Sequence, residues 1–210
     1  PQDNPWRGHG LEAKSSKVSY EVFTHVELAK VFAALEGDDE MQAVTLIGMY
    51  SGMRLNEICS LRVENIRETE GVLCFEVKEG KTKAAARIIP VHTRIINLVE
   101  SLLQKPHNGF LFYRASIIDR ADGKRSTWHT QRFTRAKRQA LGEVGTERKV
   151  FHSLRHEVAQ QLDRNQVPED RIALILGHER GKTEAFKTYS KNAASPVELS
   201  RYVELVSYKM

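Results

Sequence analysis

Residues 72–91 read VLCFEVKEGKTKAAARIIPV. Val72–Val77 and Arg87–Val91 are rich in β-branched and apolar residues and are joined by a Lys/Gly/Ala stretch, so they read as two antiparallel strands. Pro90 has no N–H to give to a ladder, which places the second strand at a sheet edge or ends it there. On both sides of this hairpin the apolar residues switch to a helical period. Upstream, Thr24 and Glu27 have capping-box spacing and predict a helix over about His25–Leu35. Gly37 and the acids Asp38, Asp39 and Glu40 separate it from a second helix, about Met41–Tyr50, which Ser51-Gly52 breaks. A third, short helix carries Leu55, Ile58 and Leu61 on one face.

Downstream, Thr93 starts a helix that stops before Pro106, and Phe110–Phe112 is a short buried segment. Helices are expected over Ser126–Leu141, over Phe151–Arg164 and from Pro168 to Gly177, with Tyr189 on a short helix after the Gly181 loop. Ser195-Pro196-Val197-Glu198 combines an N-cap, a first-turn Pro and a capping acid, and Leu199, Tyr202, Val203 and Val206 follow as one apolar stripe. The fold class is mainly α with a small antiparallel β-sheet (α+β).

Of 210 residues, 40% are hydrophobic, enough for a sizeable core, and 32 Lys and Arg against 27 Asp and Glu leave a formal +5. That excess is mild, so the placement of charge matters more than its total. The two cysteines, Cys59 and Cys74, give neither a metal-ligand spacing nor a disulfide framework. No apolar run reaches membrane-span length, and the start PQDNPWRGHG has no signal-peptide core, so a cytoplasmic protein without a membrane partner is expected.

Four patches hold polar groups that packing does not call for. Arg54 stands at a helix start with Glu57 three residues on; alone, this is an Arg–Glu surface pair. His152 and Arg155 share a helix face, which alone is a solvated stripe. His178 follows a helix end, where histidine often caps the last carbonyls. Tyr189 alone reads as a half-buried core residue. Their order is more informative than any one of them. Arg54, Lys81 in the strand turn, His152-x-x-Arg155, Leu-Gly-His178 and Tyr189 eleven residues later together resemble the tyrosine recombinase (phage integrase) family, over about residues 20–192.

The resemblance implies a catalytic domain at 21–192, a lead-in or interdomain linker at 1–20, and a tail helix at 193–210 that is a candidate for exchange between protomers. It implies a site-specific recombinase that cleaves and rejoins DNA through a 3′-phosphotyrosyl link, serving integration or excision of a phage or genomic island. Tyr189 is then the nucleophile. Its hydroxyl ordinarily loses a proton near pH 10, so a base is needed, and His152 is the candidate. Arg54, Arg155 and His178 would hold the non-bridging oxygens as charge grows on phosphorus. Lys81 would protonate the leaving 5′ oxygen, with Lys78 and Lys83 as open alternatives. Glu57 would buttress Arg54, and His156 is read as structural, pointing elsewhere on its helix. No metal or other cofactor is implied.

The implied partners are double-stranded DNA attachment sites, a homotetramer assembled on them and accessory DNA-bending proteins, in a bacterial host's cytoplasm. Lys124, Arg125, Arg132, Arg135 and Arg138, in and before the Ser126–Leu141 helix, are candidate DNA contacts. One competing reading is a zinc hydrolase with His152, His156 and His178 as ligands. It lacks the Glu that follows the first His in such helices and puts Arg155 beside the ion. A non-catalytic DNA-binding regulator explains the basic helix but leaves Tyr189 and the His-x-x-Arg face without a role. A chromosome-resolving recombinase would share the motifs of a phage integrase.

Overall fold

The structure, a computed structural model, describes residues 20–78, 86–178 and 194–209. Helix α1 (His25–Ala33) starts with the full capping box, Thr24 Oγ1 accepting from the Glu27 N–H while the Glu27 carboxylate accepts from the Thr24 N–H. Helices α2 (Asp39–Ser51) and α3 (Leu55–Cys59) follow. Strands β1 (Ile66–Thr69), β2 (Val72–Val77) and β3 (Arg87–Pro90) form an antiparallel sheet in that order, with β3 at one edge, as Pro90 implied. Then come α4 (Ile96–Leu103), the single turn α5 (Tyr113–Ser116), α6 (Thr127–Leu141), α7 (His152–Arg164), α8 (Glu169–Leu176) and α9 (Pro196–Val203).

This is the mainly helical fold with a small antiparallel sheet that the sequence predicts. Strand β1, the single turn α5 and two 3₁₀ turns, Val63–Asn65 and Thr93–Ile95, were not anticipated. Strand β1 reads Ile-Arg-Glu-Thr, so its two central charges hide the period-2 pattern, and it pairs with β2 through a Glu70-Gly71 turn in which both residues have positive φ. Such a turn suits the twist of a hairpin but lacks the usual Asn or Asp signal. The helix expected from Thr93 opens with a 3₁₀ turn, Thr93–Ile95, before α4 proper.

Helix α2 is the centre of the molecule. Nine of its thirteen residues are buried, Met41, Val44, Ile47 and Met49 completely, and it packs on α7, α3 and α6. The sheet adds Phe75 and Ile89 to the same core, and Cys59 and Cys74 are both buried and free. Burial, with Glu40 adding to it, pushes the Cys59 thiol far up; burial, with Glu70, pushes Cys74 up to about 11.

Helix α9 docks on its own domain, against β3, β2 and α8, with Leu199, Val203 and Val206 buried. Polar contacts fix the position. His92 Nε2 lies 3.0 Å from the Val206 carbonyl, the Thr93 N–H donates to Glu204 at 2.8 Å, and the Tyr208 hydroxyl donates to the Met49 carbonyl at 3.0 Å.

The end of α2 depends on Gly52, which caps it with φ +64. A Cβ there would lie 2.6 Å from Leu176 Cδ2 and 3.2 Å from Val158 Cγ1. Backbone strain and overpacking therefore add in Gly52→Ala, which should lose about 2–4 kcal/mol of stability. Urea unfolding should show a lower midpoint at unchanged slope; a midpoint equal to that of the unsubstituted chain would refute this packing.

Candidate functional site: a cluster of cations at two helix ends

Of the six residues expected to be catalytic, Arg54, His152, Arg155 and His178 are described in the structure, and they come from three places in the fold. Arg54 occupies the N-cap position of α3, immediately beyond the Gly52 turn. Its N–H donates to Glu57 Oε2 at 2.9 Å and its Nη1 to Glu57 Oε1 at 2.8 Å, while the side chain remains 40% exposed. Arg155, on α7, is only 3% exposed. Its Nη1 donates to the Gly52 carbonyl at 2.8 Å and its Nη2 to the Leu176 carbonyl. His152 begins α7 one turn before Arg155. His178 follows Gly177, the left-handed cap of α8, and its N–H donates to the Ala173 carbonyl at 3.0 Å.

These groups are close enough to alter one another's proton affinity. Burial lowers the His152 imidazole to about 4, helped by the charges of Arg155, His156, Arg54 and His178. His178 is lowered by partial burial and then by Arg155, Arg54 and Arg87. Burial, with Arg54 and Arg87 nearby, brings Arg155 down to about 9, so it still carries its charge at neutral pH. The site is a cluster of cations flanked by two imidazoles that are neutral near pH 7. Such a group of donors suits an anion with several oxygens, and a neutral imidazole can accept a proton.

Sequence reasoning missed Arg87. Its side chain is 4% exposed; Nη2 and Nη1 donate to Glu57 Oε2 and Oε1 at 2.8 and 3.2 Å, and Nε donates to the Ile175 carbonyl at 2.9 Å. Gly177 makes room for it, since a Cβ at that position would lie 2.7 Å from Arg87 Nη1. The available signal was a charged residue opening an otherwise apolar strand. Burial alone would raise the Glu57 carboxyl, but hydrogen bonds and charge from Arg87, joined by those from Arg54, hold it below the ordinary carboxylate value. His156, expected to point away, instead lies beside His152 with ring centroids 5.1 Å apart, because residues four apart share a helix face. Tyr20 sets its ring edge-on to both, at 5.6 and 6.0 Å.

Lys81, Lys83 and Tyr189 lie outside the described residues. Lys78 is described, and its Nζ lies 3.3 Å from Glu64 Oε1 at the surface. The candidate DNA contacts divide. Arg125 turns inward, with Nη1 donating to the Ala115 and Ile118 carbonyls and the guanidinium 4.3 Å from the Phe110 ring centre. Arg132 pairs with Asp38 at 2.7 Å. Lys124, Arg135 and Arg138 are exposed, Arg138 with Glu143 at 3.2 Å. Among the described residues, no group of three His, Cys, Asp or Glu side chains is placed to hold a metal ion, and no helix is long and apolar enough to cross a membrane.

Residues 21–195, most of the chain, match the sequence profile of the phage integrase family. The chain belongs to that family. A curated relative, a tyrosine recombinase of Thermosipho africanus (strain TCF52B), is 23% identical over 158 residues, covering 74% of this integrase-family chain and 52% of the relative. The chain thus spans about half the length of that relative. Among solved structures, the integrase from mycobacterium phage Brujita aligns with TM-score 0.62 at 17% identity, over 90% of this chain and 60% of its own. XerA recombinase aligns with TM-score 0.57 at 21% identity, over 88% and 59%. The Tn1549 transposon integrase, solved with circular intermediate DNA, gives 0.56 at 12% identity, over 90% and 63%. At these identities the structural likeness speaks for the fold of the integrase-family domain.

The lowered His152 value sets a testable sign. An unfolded histidine titrates near 6.5, so the fold favours the neutral ring. The stability this contributes is present above about pH 6.5 and is lost as pH falls toward 4. Imidazole NMR of the free protein should show His152 neutral from pH 8 down to about 5.5 and titrating near 4. A midpoint near 6.5 would contradict the site described here.

Proposed function

We propose that this integrase-family chain carries the catalytic domain, residues 21–192, of a site-specific DNA recombinase. It would cleave and rejoin DNA during integration or excision of a phage or genomic island, in the cytoplasm of a bacterial host. The observation that supports this most is that Arg54, Arg155, His152 and His178, from elements far apart in sequence, gather in one cationic cluster. A scissile phosphodiester carries the negative charge and the several oxygens that such a group of donors suits.

In this reading Arg54 and Arg155, with His178, hold the non-bridging oxygens as a five-coordinate phosphorus forms. His152 takes the proton from the Tyr189 hydroxyl, whose oxygen bonds to phosphorus as the bond to the 5′ oxygen breaks. Lys81 delivers a proton to that oxygen, leaving a 3′-phosphotyrosyl link and a free 5′ hydroxyl. Attack by another strand's 5′ hydroxyl reverses the steps and restores the tyrosine. The phosphoester bond energy is kept throughout, so the reaction draws on no nucleotide or metal. Lys124, Arg135 and Arg138, being exposed, are better placed than Arg125 or Arg132 to meet DNA phosphates. Double-stranded attachment sites, a tetramer of this protein and DNA-bending accessory proteins complete the reaction.

Incubation with suicide DNA duplexes spanning the element's junctions tests this reading. Covalent adducts should form in the presence of EDTA, and Tyr189→Phe should abolish them while DNA retention on a gel survives. Adducts that persist in Tyr189→Phe, or that need zinc, would refute it.

Within the tail, the helix Pro196–Val203 packs at home in this chain, and we propose that the tail, residues 193–210, exchanges onto a neighbouring protomer when recombinases assemble on DNA. Truncation after Ala194 should then abolish cooperative assembly and alter cleavage at single sites. A truncated protein that assembles and recombines normally would limit the tail to packing on its own domain.

A further inference from the structure

Glu57 lies between two guanidiniums that it serves unequally. Toward Arg54 it offers one side-chain contact, at 2.8 Å, and accepts the Arg54 N–H at 2.9 Å. Toward Arg87 it offers both oxygens, at 2.8 and 3.2 Å, in the paired geometry that carboxylates and guanidiniums favour. Arg87 is buried and all three of its side-chain nitrogens donate inward, to Glu57 and to the Ile175 carbonyl. Each of these nitrogens thus has an acceptor within the fold, whereas the Arg54 side chain is 40% exposed.

The charges explain the arrangement. Among the described groups that act on Arg155, Glu57 is the acid, set against the cations of Arg54 and Arg87. Were Arg87 neutral, the Glu57 carboxylate would have only Arg54 as its close counter-ion. A buried carboxylate holds its sole counter-ion strongly, and Arg54 would then be held against Glu57 and turned away from the anion.

We infer that Arg87 is a positioning residue: by satisfying Glu57 with both of its Nη groups, it leaves the Arg54 guanidinium available to the phosphate. The inference rests on the pocket being a phosphate site, as the recombinase reading requires. Its test does not depend on strand cleavage, so the two can fail separately.

Inorganic phosphate is the probe, and the NMR signals of the Arg54 Nε–H and the His178 ring in the full chain report its binding. Arg87→Gln should weaken phosphate binding about tenfold or more, the loss of one contact between charged groups. Adding Glu57→Gln to Arg87→Gln removes the carboxylate that captures Arg54, so the double variant should return to within about threefold of the original affinity. Arg87→Lys keeps the charge but loses the fork and the bond to Ile175, so it should melt at lower temperature yet bind phosphate nearly normally. Arg87→Gln that binds phosphate normally would overturn the inference. So would a folded double variant as weak as Arg87→Gln, or a folded Arg87→Lys weakened tenfold. If Arg87→Gln does not fold, a double variant weakened about tenfold against the unsubstituted chain, or an Arg87→Lys weakened as much, overturns the inference. Phosphate binding in this order, together with the absence of adducts on DNA, would retain the role of Arg87 and reject the recombinase reading.

Discussion

The guanidinium of Arg155 donates to the carbonyls of Gly52 and Leu176, and these lie at the C-terminal ends of two different helices. Carbonyls in the last turn of a helix lack intrahelical partners and carry the negative end of its dipole, so a cation is favoured there. A single buried side chain on α7 thus closes the ends of α2 and α8 together. This offsets part of the cost of burying its charge and sets the distance between the segments that carry Arg54 and His178. Both helices end in left-handed glycines, Gly52 and Gly177, which let the chain turn sharply and bring the carbonyls to Arg155. The remainder of the pocket follows from this contact. Once the two ends are fixed, Arg87 can reach from β3 to the Ile175 carbonyl and to Glu57.

The energetics of the pocket are those of preorganisation. Three guanidiniums and one carboxylate are held near one another at fixed positions, and the cost of assembling like charges is met on folding rather than on binding. The stabilising contacts are hydrogen bonds to carbonyls and to Glu57, which a bound anion need not disturb. The imidazoles take the opposite role. Crowded by cations and partly buried, they stay neutral where a free histidine would begin to protonate. Binding of an anion would reduce that crowding and raise their proton affinity, so that arrival of the ligand would itself make a better base.

Much of the fold was legible in the sequence because its signals are local. The Thr24/Glu27 capping box, the strand pattern of Val72–Val77, and the Ser195-Pro196 start of the last helix each predict the element found there. Strand β1 was not legible, since its place in the sheet is set by register with β2 and by an uncommon turn, not by its own hydrophobicity. The sequence order of Arg54, His152, Arg155 and His178 pointed to a shared chemistry, but not to what holds each of them. That Arg132 pairs with Asp38, or that Arg87 holds Glu57, depends on partners dozens of residues away, and Arg125 turns back on carbonyls ten and seven residues before it. Charge runs in a sequence do not reveal which cations are already spoken for.

The two cysteines have a practical meaning for this chain. Cys59 and Cys74 are buried, and burial holds both thiols well away from the reactive thiolate form at neutral pH. Thiol-directed dyes and crosslinkers react with the thiolate, so the native protein is in effect silent to them. A cysteine introduced at an exposed position, Val144 for instance, which is 92% exposed, could carry a fluorophore without first removing the native thiols. Changes around this domain could then be followed through that dye in an otherwise unaltered chain.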